Sequence, residues 1–410
     1  MNDSTNNKKP IQSHPKKSID IEELRRLKQA KKEAKKKLNA AANQNNKQHN
    51  EPPKVLERFF ATVPYQTSLK VVSGSIRVMT FNILAQSLIK RELFPESGDV
   101  LKWKIRRRMI IDEIKLYNPD IISLQELDNF ESYYEAIFTE MGYKVKYDCH
   151  PSKRHGCGIA YKEAKLIEVS YETIDYNTDT LCPPSYLTGN IAQLLALKIN
   201  NDIGFVIGNT HLYWRPTSNY ERFRQTLIYV NRFLEFKSKL KPNMKWISFL
   251  LGDFNTTPDD PAYGILTTNE LTKEQTEDLN VSRVYKKPKE DKEIEQEAEE
   301  EDENTTSIES LDSVDQLVSK YNKNCQWESI YSHYRDVTTN KEELGLFGEP
   351  KITNYTVYFK GILDYMFIPK KDPVHIKQIL MLPQEADLKP SLPNRNFGSD
   401  HLCLVTDIEY

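Results

Sequence analysis

Polar side chains that could carry chemistry recur at the ends of short apolar runs in this sequence. They are Asn82, Glu126, His211, Asp253, Asn255, Asp364, Asp400 and His401. Carboxylate and amide oxygens without thiols are hard ligands, and they suit Mg²⁺ or Mn²⁺ better than zinc. The two histidines could contact a phosphate group or transfer protons. The set therefore indicates a divalent-cation site that acts on a phosphate group.

Each of these residues taken alone has an ordinary structural explanation, because Asp and Asn commonly form turns and helix caps. Asp253 and Asn255, for example, would by themselves indicate only an Asx turn. His150 and His155 have no strong claim to a function, and Cys157 is expected to be a small buried residue. Only the recurrence of acids, amides and histidines at one run after another favours an active site.

The apolar runs predict eight strands that must position these side chains. They are Ile76–Phe81, Ile121–Leu124, Gly158–Tyr161, Ile191–Leu197, Phe205–Gly208, Trp246–Leu251, Leu363–Phe367 and Leu402–Val405. Apolar residues at helical spacing predict helices around 101–114 and 223–234, with Trp103 and Arg106 on the surface of the first. Strands interleaved with helices predict a layered α/β or α+β domain, which holds its active site where strands end.

The composition fits a folded chain with additional polar sequence. The 410 residues suffice for one large core, and the formal charge of −2 does not by itself indicate a nucleic-acid partner. The five cysteines are scattered without a CxxC pair, which argues against a disulfide framework and favours a reducing compartment. The sequence contains no apolar run long enough to span a bilayer and no apolar signal-peptide core at its start, so no membrane partner is expected.

Two polar segments are predicted to lie outside the packed core. Residues 1–55 form a basic tail, since residues 1–50 hold thirteen Lys or Arg against five Asp or Glu. A second segment at about 270–322 includes ten acids and one lysine between Glu290 and Glu303. Such sequences cannot bury enough apolar surface to fold, so both are predicted to be disordered. The tail could serve as a nuclear-import signal or bind RNA phosphates, and either segment could bind protein partners.

Six short strings around the polar residues resemble the motifs of the endonuclease/exonuclease/phosphatase superfamily, and they occur in the same order. They are FNILAQ at 81–86, ISLQE at 122–126, NTHL at 209–212, GDFN at 252–255, GILDY at 361–365 and SDH at 399–401. The resemblance covers about residues 72–410, which are therefore expected to form one catalytic domain. It implies a DNase I-like fold, a two-layered β-sandwich flanked by helices.

The flanking residues resemble the deadenylase and nocturnin branch of that superfamily. They include RHGCGIAYK at 154–162, THLYWRP at 210–216 and YFKGILDY at 358–365. A basic tail and an acidic insert without leucine-rich repeats are most similar to the fungal repeat-less RNA exonucleases, of the type that trims the 3′ end of 5.8S ribosomal RNA. Two departures stand out. Gly398 replaces the usual proline before SDH, and Arg215 replaces an acidic residue, which makes a strict preference for adenosine doubtful.

The resemblance implies a metal site and a catalytic set. Glu126 would be the principal ligand of Mg²⁺, or of Mn²⁺, with Asn82 on the metal or the phosphate and Asp400 completing the site. The residues with catalytic roles would be His211, Asp253, Asn255, Asp364 and His401.

Within that catalytic set, the resemblance gives each residue one task. Asp253 would orient or deprotonate the attacking water, and Asn255 would hold the phosphate. Asp364 would fix the tautomer of His401, while His401 and His211 would contact the scissile phosphate.

Substrate binding is also implied by the resemblance. Phe359 and Pro216 would sandwich a purine, and stacking of this kind suits unpaired RNA because every base offers a flat face. The expected activity is a Mg²⁺-dependent 3′-to-5′ RNA exonuclease in the nucleus or cytoplasm, which acts on single-stranded 3′ ends of precursor ribosomal RNA or poly(A).

Three other functions are weighed against this one. A nocturnin-like 2′-phosphatase of nucleotides would use the same metal and histidines. A non-catalytic RNA-binding scaffold is disfavoured by the complete acid, amide and histidine set, and a DNA repair endonuclease is disfavoured by the flanking residues.

Overall fold

Two β-sheets pack face to face in the computed structural model, and helices cover the outer face of each sheet. The structure describes residues 52–64, 73–284, 308–371 and 374–410. Within these ranges, the residues from Pro53 onward form one unit. This architecture confirms the predicted fold class, a two-layered β-sandwich flanked by helices.

The first sheet has seven strands in the order β1-β14-β15-β2-β3-β5-β4. They are β1 (Phe60–Thr62), β2 (Ser75–Asn82), β3 (Ile121–Leu127), β4 (Tyr143–Asp148), β5 (Gly156–Lys162), β14 (His375–Leu380) and β15 (Leu404–Glu409). Strands β2 and β3 run parallel, and their register pairs Asn82 with Gln125. Asn82 and Glu126 therefore reach the same edge of this sheet.

The second sheet has six strands in the order β10-β13-β9-β8-β7-β6. They are β6 (Ile167–Asp175), β7 (Ile191–Lys198), β8 (Ile203–His211), β9 (Lys245–Asp253), β10 (Trp327–Ser329) and β13 (Asp364–Pro369). Strands β8 and β9 are parallel and pair His211 with Asp253, while the antiparallel β13 pairs Asp364 with the same Asp253. Three candidate residues thus lie side by side on neighbouring strands. A separate hairpin, β11 (Asn354–Tyr355) and β12 (Lys360–Gly361), precedes β13.

Helices cover both outer faces of the sandwich. The described α-helices are α1 (Trp103–Tyr117), α2 (Glu135–Glu140), α3 (Asn219–Ser238), α4 (Pro261–Thr268), α5 (Lys273–Val284), α6 (Val314–Lys320), α7 (Tyr334–Val337) and α8 (Glu385–Leu388). Single 3₁₀ turns lie at Gln86–Leu88, Gly98–Leu101, Ile308–Ser310, Ile330–His333, Lys341–Glu343 and Leu346–Gly348, with a π turn at Phe130–Tyr134. Helix α1 packs on the first sheet and α3 on the second. None of the described helices is long and apolar enough to cross a bilayer.

The central strands are buried on both faces, which explains why they read as apolar runs. Successive residues of a strand point to opposite faces. Accordingly Ile76 and Val78 of β2 lie in the core between the sheets, while Met79 and Phe81 of the same strand face helix α1. All eight predicted strands occur. The remaining strands, such as the peripheral β6 with its alternating exposed residues, carried too weak an apolar signal to be predicted.

The insert predicted at about 270–322 is narrower than the sequence indicated. Helices α5 and α6 occupy its two ends, and Leu279 and Leu317 bury their side chains in the core outside the second sheet. The prediction was wrong at these ends because a few apolar residues at helical spacing suffice for packing, even in a segment rich in charge. Residues 285–307, which carry the acidic run, lie outside the described residues.

An arginine joins the two ends of that segment. Arg283, near the end of α5, donates from Nε to the carbonyl oxygen of Asp312 at 2.8 Å. Its Nη2 donates to the carbonyl oxygens of Ile308 and Leu311, at 3.1 and 2.8 Å. The two described segments on either side of residues 285–307 are therefore joined by the side chain of Arg283.

The folded unit begins earlier than the predicted domain start at residue 72. Residues 1–51 of the predicted tail, 1–55, lie outside the described residues. Arg58, which lies between the predicted tail and the predicted domain, is buried. Its Nη2 donates to Glu113 Oε1 at 3.0 Å and its Nη1 to the carbonyl oxygen of Cys403 at 3.1 Å. Strand β1 then adds to the edge of the first sheet. Sequence reasoning missed this segment because its contacts are all with distant residues.

We expect Arg58→Met to destabilise the fold by about 3–5 kcal/mol, because it would leave the buried carboxylate of Glu113 without its partner. Both side chains are at most 3% exposed. Urea unfolding measures the loss, and a double variant with Glu113→Gln should recover part of it. Lys239→Met, which breaks the exposed pair with Glu172, is the matched control and should cost less than about 1 kcal/mol. Equal costs for the two single variants would contradict the prediction.

Candidate active site

The side chain of Asn82 joins the two sheets at the edge where the candidate residues meet. Its Nδ2 donates to Glu126 Oε1 at 3.0 Å and to Asp253 Oδ2 at 2.9 Å. Its Oδ1 accepts from the backbone N–H of Leu84 at 3.0 Å, which fixes the orientation of the amide. Asn82 is fully buried. One amide group therefore holds a carboxylate from each sheet in place.

Glu126 is directed into the site by an irregularity at the end of β3. The pairing of β3 with β5 shifts its register between Leu124 and Leu127, and Glu126 has a φ of 55°. Such bulges commonly redirect a side chain beside an active site. Its Oε2 accepts from the backbone N–H of Ala85 at 2.9 Å. Burial opposes ionisation, but His211, His155 and the Asn82 hydrogen bond outweigh it and lower the pKa of Glu126. The carboxylate is therefore held as an anion.

Asp253 lies at the centre of the site. Its Oδ2 is 3.7 Å from Nε2 of both His211 and His401. Its Oδ1 accepts from the backbone N–H of Asn255 at 2.9 Å, and the Asn255 amide nitrogen donates to the Leu212 carbonyl at 2.9 Å. Burial raises the pKa of Asp253 to about 6, with the histidines acting in the opposite direction. At neutral pH this carboxylate can accept a proton.

His401 and Asp364 form a buried hydrogen-bonded pair. Nδ1 of His401 lies 2.8 Å from Asp364 Oδ2, and the same oxygen accepts from the hydroxyl of Thr353 at 2.7 Å. Burial opposes a charge on His401, but Asp364, Asp253 and Asp400 outweigh it and hold the pKa of the imidazole well above its ordinary value. This shift favours the imidazolium form of His401, whose Nε2 can donate to an anionic substrate.

Oxygen donors for a divalent cation are present in two arrangements. Among the described residues, Asp253, Asp364 and His401 present ligand atoms within 4.8 Å of one another. In that trio, Nδ1 of His401 already lies 2.8 Å from Asp364 Oδ2. Glu126 and Asp400 are the second arrangement. Burial and, to a smaller extent, the charge of Glu126 raise the pKa of Asp400 against the opposing charge of His401. A cation shared by the two carboxylates would relieve their repulsion.

Arg106 supports this site although the sequence placed it on a helix surface. It is fully buried, and its Nε donates to the carbonyl oxygen of Gly398 at 2.7 Å. Its Nη2 donates to the carbonyl oxygens of Ile83 and Leu84. The guanidinium thus ties the loop after Asn82 to the segment that carries Asp400. Arg106 precedes two core residues of α1 by three and four positions, a helical spacing that could have revealed its burial.

His155 also belongs to the site, although no function was predicted for it from the sequence. Its ring centroid lies 6.3 Å from that of His211, and the side chain is buried. The charge of its imidazole contributes to lowering the pKa of Glu126. It immediately precedes β5, at the edge of the first sheet reached by Glu126. That position, and its place in the RHGCGIAYK string at 154–162, were the signals in the sequence that could have pointed to it.

The two expected base-binding residues lie on exposed loops beside the site. Phe359 occupies the turn between β11 and β12, and a Cβ added at Gly361 would come within 2.7 Å of its ring. The absence of a side chain at Gly361 therefore allows the ring to rest on the backbone. Pro216 lies on the loop after β8, whose carbonyl oxygens at Tyr213 and Pro216 accept from the buried Arg222 at 3.4 and 3.0 Å.

A buried amide network lies behind the site and crosses the sandwich. Gln125 Nε2 of the first sheet donates to Asn209 Oδ1 of the second at 2.8 Å. Asn209 Nδ2 donates in turn to Gln193 Oε1 at 3.1 Å and to the Leu124 carbonyl at 3.0 Å. All three amide side chains are fully buried. The network fixes the two sheets in register one residue behind Glu126.

Comparison with known proteins gives a consistent result. A family model described as the endonuclease/exonuclease/phosphatase family matches residues 79–401. The chain is 29% identical to RNA exonuclease NGL2 of Saccharomyces cerevisiae, over 83% of this chain and 79% of that protein. It is 24% identical to the CCR4-Not complex 3′-5′-exoribonuclease subunit Ccr4 of Emericella nidulans, over 86% of this chain and 53% of that protein.

Solved structures share the fold. The crystal structure of ANGEL2, a 2′,3′-cyclic phosphatase, in complex with adenosine-2′,3′-vanadate superposes with a TM-score of 0.66 at 22% identity. The superposition covers 87% of this chain and 99% of that chain. At this identity the likeness concerns the architecture alone.

We expect Asp364→Asn to lower the pKa of His401, because it removes the nearest of the carboxylates that stabilise the imidazolium. NMR titration of the histidine rings measures this. In the wild type the His401 ring should stay protonated at a pH where the variant has already lost its proton. His375, which pairs with Glu409 on the far strands β14 and β15, is the internal control. Identical titration of His401 in both proteins would remove Asp364 from its assigned role.

Proposed function

Because the chain belongs to the endonuclease/exonuclease/phosphatase family, we propose that it is a metal-dependent 3′-to-5′ RNA exonuclease that hydrolyses phosphodiester bonds. The observation that carries the proposal is the convergence of Glu126 and Asp253 on the amide of Asn82, with two histidines beside them. Relatives that align with most of this chain are named RNA exonucleases, which supports RNA as the substrate.

Mg²⁺ is the cation we propose for the site, with Mn²⁺ as a substitute. Glu126 and Asp400 would hold it through carboxylate oxygens, and Asn82 would orient Glu126 beside it. The donor set consists of oxygens, as a hard cation requires. When bound, the cation neutralises charge on the phosphate and lowers the pKa of a coordinated water.

Each side chain of the site has a separate role in the proposed hydrolysis. Asp253 orients the attacking water and accepts its proton, for which its pKa of about 6 is suited at neutral pH. As the water oxygen attacks phosphorus, the bond to the 3′ oxygen of the preceding ribose breaks, and that oxygen takes up a proton from solvent. Negative charge grows on the phosphate oxygens during this step. His401, held as an imidazolium by Asp364, and His211 donate to that charge. Asn255, whose backbone N–H is bonded to Asp253, holds the phosphate.

Substrate recognition rests on the exposed loops. We propose that Phe359 and Pro216 enclose the base at the 3′ end of a single strand. Arg215 directly precedes Pro216, and it lies 5.7–5.9 Å from the rings of Tyr186, Tyr213 and Trp214. We propose that its charge faces this pocket. That charge differs from the acid found in deadenylases, and it supports only a partial preference for adenosine.

The biological setting is proposed more broadly. The five cysteines are free thiols, which fits the nucleus or the cytoplasm. Precursor ribosomal RNA and poly(A) are both candidate substrates. Protein partners could bind the basic tail or the acidic run, whose residues lie outside those described.

We expect Glu126→Gln to fold normally and to lose activity by orders of magnitude, because an amide cannot replace the anion that holds the cation. Turnover of a labelled RNA oligomer measures the loss. EDTA should silence the wild type, and Mg²⁺ or Mn²⁺ should restore it. Glu140→Gln, on the exposed end of α2, is the matched control and should retain wild-type turnover. Full activity of Glu126→Gln would show that the cation is held elsewhere.

The proposed polarity and substrate are tested with matched oligomers of A, U and mixed sequence, each also with a 3′-terminal phosphate. We expect a ladder that shortens from the 3′ end and stops when that end is blocked. Phe359→Ala should weaken binding by about 1–3 kcal/mol per stacked base, and more for purines than for uridine. NADP serves as the substrate of the competing 2′-phosphatase. Cleavage of a circular RNA, or consumption of NADP alone, would contradict the exonuclease.

A further inference from the structure

Three consecutive apolar side chains are exposed in the turn between β11 and β12. Val357 is 42% exposed, Tyr358 71% and Phe359 39%. Phe359 already has a proposed role at the 3′-terminal base, but the more exposed Tyr358 does not. Contiguous exposed apolar side chains commonly mark a surface that contacts a ligand or a partner.

Hydrogen bonds close the turn that carries Tyr358. The hydroxyl oxygen of Thr356 accepts from the backbone N–H groups of Tyr358 and Phe359, at 3.2 and 2.9 Å. The backbone N–H of Thr356 also donates to the carbonyl oxygen of Phe359 at 2.8 Å. The backbone positions of the two aromatic residues are therefore set before any ligand arrives, which reduces the entropy lost on binding.

The ring of Tyr358 is held at its other end as well. Its hydroxyl donates to the carbonyl oxygen of Glu92 at 3.2 Å, across to the loop that follows β2. Tyr358 is thus anchored at its backbone and at its hydroxyl, although most of its surface faces solvent. An anchored aromatic ring with exposed surface is the geometry needed to stack a nucleobase.

The charges around the ring suit a nucleic-acid strand. Lys90 and Arg91 directly precede Glu92, and Lys360 lies two residues after Tyr358. All three basic side chains are exposed. Glu92 contributes an opposing charge, and so does Glu385, whose charge acts on Lys360. A net positive surface beside an aromatic platform attracts the phosphates of a single strand.

We propose that Tyr358 forms a second base-stacking subsite, which receives the unpaired nucleotide adjacent to the one bound by Phe359. The inference rests on the proposed exonuclease function and extends it from the terminal nucleotide to its neighbour. Because stacking is tolerant of base identity, this subsite would read single-strandedness rather than sequence. An RNA end that is still paired at this second position would be a poor substrate.

The test combines Tyr358 variants with single abasic positions in an RNA oligomer. For the wild type, an abasic residue at the second position from the 3′ end should raise KM by about 5- to 150-fold. Tyr358→Ala should raise KM on the intact oligomer to a similar extent and become insensitive to that abasic position. It should remain sensitive to an abasic residue at the 3′ end, which Phe359 still binds. Tyr358→Phe keeps the ring but loses the hydrogen bond to Glu92. Its KM should lie between those of the wild type and Tyr358→Ala.

Phe59→Ala is the matched control, since Phe59 is 70% exposed and precedes the edge strand β1 of the first sheet. Its KM and its thermal midpoint should equal those of the wild type. An active wild type whose KM is unchanged by Tyr358→Ala would overturn the subsite and point to a protein partner for the exposed ring. An undiminished abasic effect in Tyr358→Ala would overturn it too. A wild type that degrades no RNA would overturn the proposed function, and this inference with it.

Discussion

The two N–H groups of a single buried amide determine how this protein is organised. Asn82 gives one to Glu126 of the first sheet and the other to Asp253 of the second. Several carboxylates are buried at this edge, and without such donors and the neighbouring imidazoles they would repel one another and take up protons. The two hydrogen bonds from Asn82 and the charges of the histidines offset this repulsion. They allow the sandwich to place acids from separate sheets side by side.

The surrounding structure preserves the geometry of that amide. The network through Gln125, Asn209 and Gln193 fixes the two sheets against sliding, since a shift of one residue would break hydrogen bonds between fully buried amide groups. Arg106 fixes the loops instead, by binding carbonyl oxygens on either side of the site. Neither group need touch a substrate, yet both decide where the reacting side chains stand.

Features that depend on a local sequence pattern were predicted correctly. Strands buried on both faces appear as apolar runs, and Asn82, Glu126, Asp253, Asp364 and His401 stand at their ends, where the structure brings them together. The positions that it did not predict depend on contacts between distant segments. Arg106 looks like a surface cation until residues 83, 84 and 398 surround it, and Arg58 needs Glu113 and Cys403. The buried residues of α5 and α6 were also not predicted, because the segment around them is rich in charged residues. The roles of the site residues remain proposals.

The arginine that joins the two ends of residues 285–307 has an evolutionary consequence. Arg283 brackets the chain where it leaves and re-enters the folded unit, so the spacing of those two points does not depend on what lies between them. Insertions, deletions or substitutions between those two points therefore leave α5 and the segment before α6 joined through Arg283. The same place suits the insertion of a foreign sequence, such as an affinity tag, because both flanking helices keep their anchor.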